Sequence, residues 1–298
     1  MGQNSKKKVL FIANRRSGKY REEVFQKRLA DILSTQGLSG EVYYLAGHED
    51  LAERVRKATS EQVEAFVVVG GDGTVALVAS HLRRKPSRIF IIPTGTTNLL
   101  AQVLGIPLNI EDALKLLVSS TETKTIDGLE INGRLFFMNA SVGLSSSSVK
   151  EVRQEQKSSL GIFAYLLAVI RRVVKATPRR FSLEIDGKWR QVEAAEIFIA
   201  NIGALGTPRY RLADSQFDDG KLEACVIYKS TPRELLNALL DLVVRKRKRS
   251  IHCIARGERI TVRCEECLPV QADGDLVEQT PVTVEVVPRA ATFVVPRS

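Results

Sequence analysis

Glycines and hydroxyl side chains gather at three points in the first third of the chain: "NRRSGK" (Asn14 to Lys19), "GGDGT" (Gly70 to Thr74) and "PTGTTN" (Pro93 to Asn98). Each follows a short apolar run and precedes a stretch with helical spacing. A helix N-terminus offers unpaired N–H groups and partial positive charge, and glycine lets a ligand come close to the backbone. Both properties suit phosphate. One such loop is a weak signal. Three of them after strands of one sheet point to a nucleotide phosphate site, because ligands of open α/β sheets bind beyond the carboxyl ends of the strands.

Asp72 is the anomaly in that pattern, since a carboxylate among phosphate-binding glycines repels the ligand. No Gly-Lys pair is followed by Ser or Thr, so there is no Walker A loop. Gly71-x-Gly73-x-x-Ala76 matches the dinucleotide fingerprint in form. That fingerprint also needs an acidic residue about 20 positions later for the ribose, and no Asp or Glu occurs between Asp72 and Glu111. Asp72 makes chemical sense if a cation accompanies the phosphates. Mg²⁺ takes carboxylate, water and phosphate oxygens together, and it neutralises charge during phosphoryl transfer. Asp is also a common turn former. Its place between two glycines, beside two sister loops, favours the reading as a partner of metal-bound triphosphate.

The elements that must hold these loops alternate regularly. "KKVLFIAN", "GEVYYLA", "AFVVVGG" and "SRIFIIP" read as strands. "YREEVFQKRLADILSTQG", "EDLAERVRKAT", "VALVASHLRR", "NLLAQVLG" and "NIEDALKLLVSS" read as helices. Short apolar strands alternating with helices predict an α/β domain with a parallel sheet covered on both faces. Near residues 122–126 the texture changes to alternating residues with Asn-Gly and Asp-Gly turns, which predicts antiparallel strands. "SLGIFAYLLAVIRRVVKAT" and "TPRELLNALLDLVVRKRKR" read as two further helices. The expected domains are 1–124, a nucleotide-binding α/β domain, and 125–298, a β-rich sandwich whose last strand is free to return to the first domain.

The chain has 298 residues, a formal net charge of +10 and 6% aromatic residues. The basic balance suits anionic lipid or phosphorylated substrates. Interleaved aromatic and basic residues of the RNA-binding kind are missing, so nucleic acid is not an expected partner. The longest apolar run, Leu160 to Ile170, falls short of the ~20 residues of a membrane span, and no signal-peptide pattern is found at the start. These features predict a cytoplasmic protein. Basic clusters, above all "RKRKR" from Arg245 to Arg249, would favour peripheral contact with the inner face of a membrane. With three histidines and no H-E-x-x-H, a catalytic zinc or a histidine triad is not expected. The four cysteines include Cys264-x-x-Cys267 near Cys253; ordinary buried thiols are the favoured reading over a metal group of Cys253, Cys264 and Cys267.

Longer motifs carry a resemblance. "IIPTGTTNLLAQVLGIP" resembles the second signature of the bacterial diacylglycerol kinase catalytic-domain family, related to sphingosine and ceramide kinases. "GGDGT" is shared more widely, including with NAD kinases. "ADSQFDDGKLEACVI" and "VQADGDLVEQTPVTVEVVP" are similar to that family's later segments. The resemblance implies an ATP- and Mg²⁺-dependent lipid kinase that phosphorylates a hydroxyl of diacylglycerol or a related lipid at the membrane surface, and it leaves room for a homodimer. It implies that Asn14, Gly70, Gly71, Asp72, Gly73, Thr74 and Thr96 bind the nucleotide and its Mg²⁺. It implies a structural Mg²⁺ at Asp219, with the backbone oxygens of Gln216 and Lys221, and a general base at the Asp273/Asp275 pair. Leu99 stands where the family pattern has Asp, and Asp275 where it has Glu. An NAD kinase-like small-molecule kinase and a binding relative without turnover remain alternative readings.

Overall fold

The structure, a computed structural model, describes residues 7–18, 20–35, 38–45, 49–83, 85–119, 121–143, 177–202, 216–228 and 251–297. The two long helices expected around Leu160 and Leu236, and the "RKRKR" cluster, lie outside the described residues. The chain divides into two compact units, residues 1–128 with 206–209 and 288–298, and residues 129–205 with 210–287.

In the first unit, strands β1 (Lys7–Ala13), β2 (Leu38–Tyr44), β3 (Ala65–Gly70) and β4 (Arg88–Pro93) pair in parallel in the order β2-β1-β3-β4. Residues Thr292 and Phe293, late in β16 (Val282–Pro296), pair in parallel with Arg88 and Ile89. Parallel strands covered on both faces need apolar side chains pointing both ways. β3 meets that need, with every residue buried. Val9, Phe11, Ala13, Val67 and Val69 form one core with Phe25 and Leu29 of α1 (Glu22–Thr35) and Ala113 and Leu114 of α5 (Ile110–Lys115). The intervening Leu10, Ile12, Phe66 and Val68 are also fully buried. Two further helices, α2 (Glu49–Ser60) and α3 (Asp72–Leu82), contact each other. β1 to β4 run the same way, so their C-terminal loops emerge on one edge of the sheet.

Helix α3 begins at Asp72, inside "GGDGT", and not at Val75 where the apolar pattern starts. Gly71 is extended and caps it. The first turn thus belongs to the loop, and the rest is mostly buried, with Val75, Ala76, Val78, Ala79 and Leu82 inside. The short helix α4 (Leu99–Val103) follows "PTGTTN".

The second unit is an antiparallel sandwich. One sheet contains β8 (Arg179–Ile185), β9 (Lys188–Ala194), β13 (Arg259–Cys264) and residues 282–285 of β16. The other runs in the order β12-β11-β10-β7-β14-β15: β12 (Ile251–Gly257), β11 (Leu222–Ile227), β10 (Glu196–Ala200), β7 (Asn139–Val142), β14 (Pro269–Ala272) and β15 (Asp275–Gln279). Leu183, Ile185, Ile197, Ile199, Val226, Val262 and Val284 are among the residues that fill the space between the sheets. The Asp186-Gly187, Asn132-Gly133 and Asp273-Gly274 turns have positive φ at both residues, the geometry that two-residue hairpins require.

Candidate active site

The three glycine-bearing loops meet at the edge of the parallel sheet. The Asn14 N–H donates to the Val69 carbonyl (2.9 Å), and its Nδ2 donates to Thr74 Oγ1 (3.1 Å). The Thr94 N–H donates to the Gly70 carbonyl (3.0 Å), and Thr94 Oγ1 donates to Ser17 Oγ (2.8 Å). Asn14 Oδ1 accepts the Arg16 N–H, which tightens the first loop into a turn. A Cβ built on Gly18 would lie 3.8 Å from Thr96 Oγ1. Side chains expected at the nucleotide site from sequence alone, Asn14, Thr74 and Thr96, are therefore brought together with Gly70, Gly71 and Gly73.

Two glycines are required by packing. A Cβ on Gly70 would fall 2.6 Å from Thr74 Cβ, and one on Gly95 would fall 2.6 Å from Gly71 Cα and 2.7 Å from Asn98 Oδ1. The second and third loops thus press backbone against backbone. Asn98 locks that approach: it is left-handed (φ 49°, ψ 47°) and buried, and its side chain binds the Gly95 N–H and carbonyl at 2.9 and 2.8 Å. Ser17, Thr94 and Asn98 were not singled out from sequence, although each lies within one of the three loops.

The carboxylate of Asp72 has its own partners. Oδ2 accepts the Leu99 N–H and Oδ1 the Leu100 N–H, both at 3.0 Å. Asp72 thereby satisfies the first N–H groups of α4, the third loop's helix, which has no cap from its own Asn98. Burial pushes its carboxyl above the usual range, opposed by the N–H groups of Leu100 and Leu99. Leu99 contributes its backbone to this contact and buries its side chain.

In the second unit Asp273 and Asp275 differ in position. Asp273 sits at φ 48° in the turn between β14 and β15. Its Oδ2 accepts the Phe137 N–H (2.8 Å), and its Oδ1 accepts those of Met138 (2.9 Å) and Asn139 (3.1 Å). A carboxylate holding three backbone N–H groups organises the chain that leads into β7. Asp275 is the first residue of β15, opposite Ala272, and is partly buried.

The expected structural-metal residues lie in the turn before β11. The Lys221 N–H donates to Asp219 Oδ1 (3.1 Å), and Arg256 of β12 donates from Nη2 to Asp219 Oδ2. Gln216 is exposed at the start of this turn. Both Asp219 oxygens are engaged by donors, and unlike the neutral N–H partners of Asp72 one of these is the Arg256 guanidinium, whose positive charge opposes a metal ion on the same carboxylate.

The cysteines are arranged differently from the expectation. Cys225 and Cys253 are opposed in the β11/β12 register and joined by a disulfide. They are not two separate thiols, because direct cross-strand partners bring their sulfurs together. Cys264 and Cys267 are free. Among the described residues the one group with metal-ligand proximity is Glu223, Cys225 and Cys253, which leaves Cys264 and Cys267 out. No described helix is long and apolar enough to cross a membrane.

Comparison with known proteins matches both halves. The diacylglycerol kinase catalytic domain model matches residues 8–131. The YegS C-terminal NAD kinase beta sandwich-like domain model matches residues 139–295. A diacylglycerol kinase of Bacillus subtilis is 27% identical over 279 residues, 90% of each chain. One from Staphylococcus aureus strain JH9 is 28% identical over 235 residues, 77% of this chain and 73% of its own. An uncharacterized Synechocystis protein is 28% identical over 271 residues; the match takes in 87% of this chain and 62% of that protein's length. A Bacillus anthracis crystal structure, of a protein assigned but not established as a diacylglycerol kinase, superposes with a TM-score of 0.77 at 25% identity over 98% of this chain and 99% of that one. The α/β loops, the sandwich and these matches together place the chain in the diacylglycerol kinase catalytic-domain family, a family of lipid kinases.

Proposed function

We propose that this chain is an ATP-dependent lipid kinase that transfers the γ-phosphate to a hydroxyl of diacylglycerol or a related lipid. The observation that carries the reading is the union of three glycine-bearing loops, fastened by Asn14–Thr74, Thr94–Ser17 and the Gly71–Gly95 approach. Backbone N–H groups and hydroxyls at the N-terminus of α3 suit phosphate oxygens without reading a base. Mg²⁺ would arrive with the triphosphate and, when bound, neutralise charge on the phosphate oxygens. Asp72 is the residue that would face it through water, since each carboxylate oxygen keeps a lone pair beyond its N–H bond. Asp275 is our candidate for the group that takes the proton from the attacking lipid hydroxyl, because Asp273 is committed to backbone N–H groups. The net charge of +10 favours an acceptor reached at an anionic membrane surface.

The test is transfer of radiolabel from γ-labelled ATP, with Mg²⁺, to lipid vesicles containing diacylglycerol and to a panel of lipid extracts. A labelled phospholipid supports the reading. Label appearing in NAD, or in no lipid at all, rejects it.

A further inference from the structure

Asp219 and Glu223 form an acidic pair whose charge is met by a side chain of the protein itself. Glu223 of β11 is buried, with 6% of its side chain exposed; Asp219, in the turn just before that strand, has 20% exposed. Two carboxylates this close to the core require a cation, since burying unneutralised charge is costly. Arg256 supplies it. Arg256 is the direct cross-strand partner of Glu223 in the β11/β12 ladder, so its position is fixed by the sheet register. Its Nη2 donates to Asp219, and its Nε lies 3.6 Å from Glu223. The Lys221 N–H occupies the other Asp219 oxygen at 3.1 Å.

We infer that the Arg256 guanidinium, itself half-exposed, takes the place of the structural metal ion in this chain, bridging Asp219 and Glu223 as a cation supplied by the protein. A guanidinium is planar, always charged and offers several donors in fixed directions. It can serve two carboxylates at once, which a lysine ammonium does less well. A divalent ion at Asp219 would have to displace it, against both its charge and its hydrogen bonds. The turn before β11 is then held shut by a covalently attached cation, and its order does not depend on the supply of free metal.

Thermal unfolding of the purified chain, without nucleotide or lipid, tests this in Mg²⁺ and in EDTA. The wild-type midpoint should be the same in both. Arg256→Met should unfold about 3 °C lower or more in EDTA, and Mg²⁺ should restore part of the loss. Arg256→Lys should fall between the two. A wild-type midpoint that rises with Mg²⁺, with the rise abolished by Asp219→Asn, would overturn the inference by placing a metal at Asp219. An Arg256→Met chain as stable as wild type in EDTA would also overturn it. Should Arg256→Met not fold, the wild-type and Asp219→Asn arms still decide the matter. The outcome is separate from that of the kinase assay, since unfolding is read with neither substrate present.

Discussion

The Asp72 carboxylate receives the Leu100 N–H at 3.0 Å, across 28 residues of sequence, and so ties the second phosphate-type loop to the helix after the third. Replacing Asp72 by Ala leaves the Leu99 and Leu100 N–H groups without that acceptor. We expect a loss of about 2 kcal/mol in stability together with weakened nucleotide binding. Denaturant unfolding and ATP titration check the two parts. Unchanged stability would mean that the contact is incidental.

The same residue makes a pH prediction. Burial raises the Asp72 pKa, so the folded chain holds this proton more tightly than the unfolded chain does. A raised acid loses stability as pH climbs from the unfolded carboxylate value, about 3.9, toward the folded one. The stability of wild type relative to Asp72→Asn should therefore fall as pH rises from about 4 toward neutrality. A relative stability that rises over that range would contradict the sign.

Gly95→Ala should damage the site without touching any ionisable group. Its Cβ would meet Gly71 Cα at 2.6 Å, backbone against backbone, with no flexible side chain to yield. We expect destabilisation of about 1–3 kcal/mol and a large rise in the dissociation constant for ATP. Calorimetric titration would show it. Wild-type affinity would mean that the two loops have room to separate.

Asp273 and Asp275 should separate stability from turnover. Asp273→Ala removes the acceptor of three backbone N–H groups and should cost about 3 kcal/mol or more. Asp275→Asn should cost less stability than Asp273→Ala and lower kcat by about 10²–10⁴-fold. Unfolding curves and initial rates on the same preparations distinguish the two residues. Full activity in Asp275→Asn would remove it as the proton acceptor.

Asn14→Ala and Thr74→Val each break the 3.1 Å link between the first and second loops. Each should weaken nucleotide binding by about tenfold or less, matching one hydrogen bond of ~1 kcal/mol. In the double variant the losses should be less than additive, because both remove the same bond.

Local features were legible from the chain alone. Apolar runs such as Val67–Val69 marked strands buried on both faces, and the Asn-Gly and Asp-Gly pairs marked hairpins because positive φ is a property of those residues themselves. The Asn14–Lys19, Gly70–Thr74 and Pro93–Asn98 loops were visible for the same reason: glycine and hydroxyl residues after a strand carry their chemistry wherever the strand ends. The start of α3 was less legible, because Gly71 and Asp72 enter the helix before its apolar pattern begins.

What only the tertiary structure decided was the partner of each carboxylate. Asp72 meets Leu99 and Leu100, Asp273 meets Phe137 to Asn139, and Asp219 meets Arg256. Sequence distinguishes an acid from its neighbours but not a free acid from one already engaged. That difference depends on strand order, register and burial, which bring residues together across tens or more than a hundred positions.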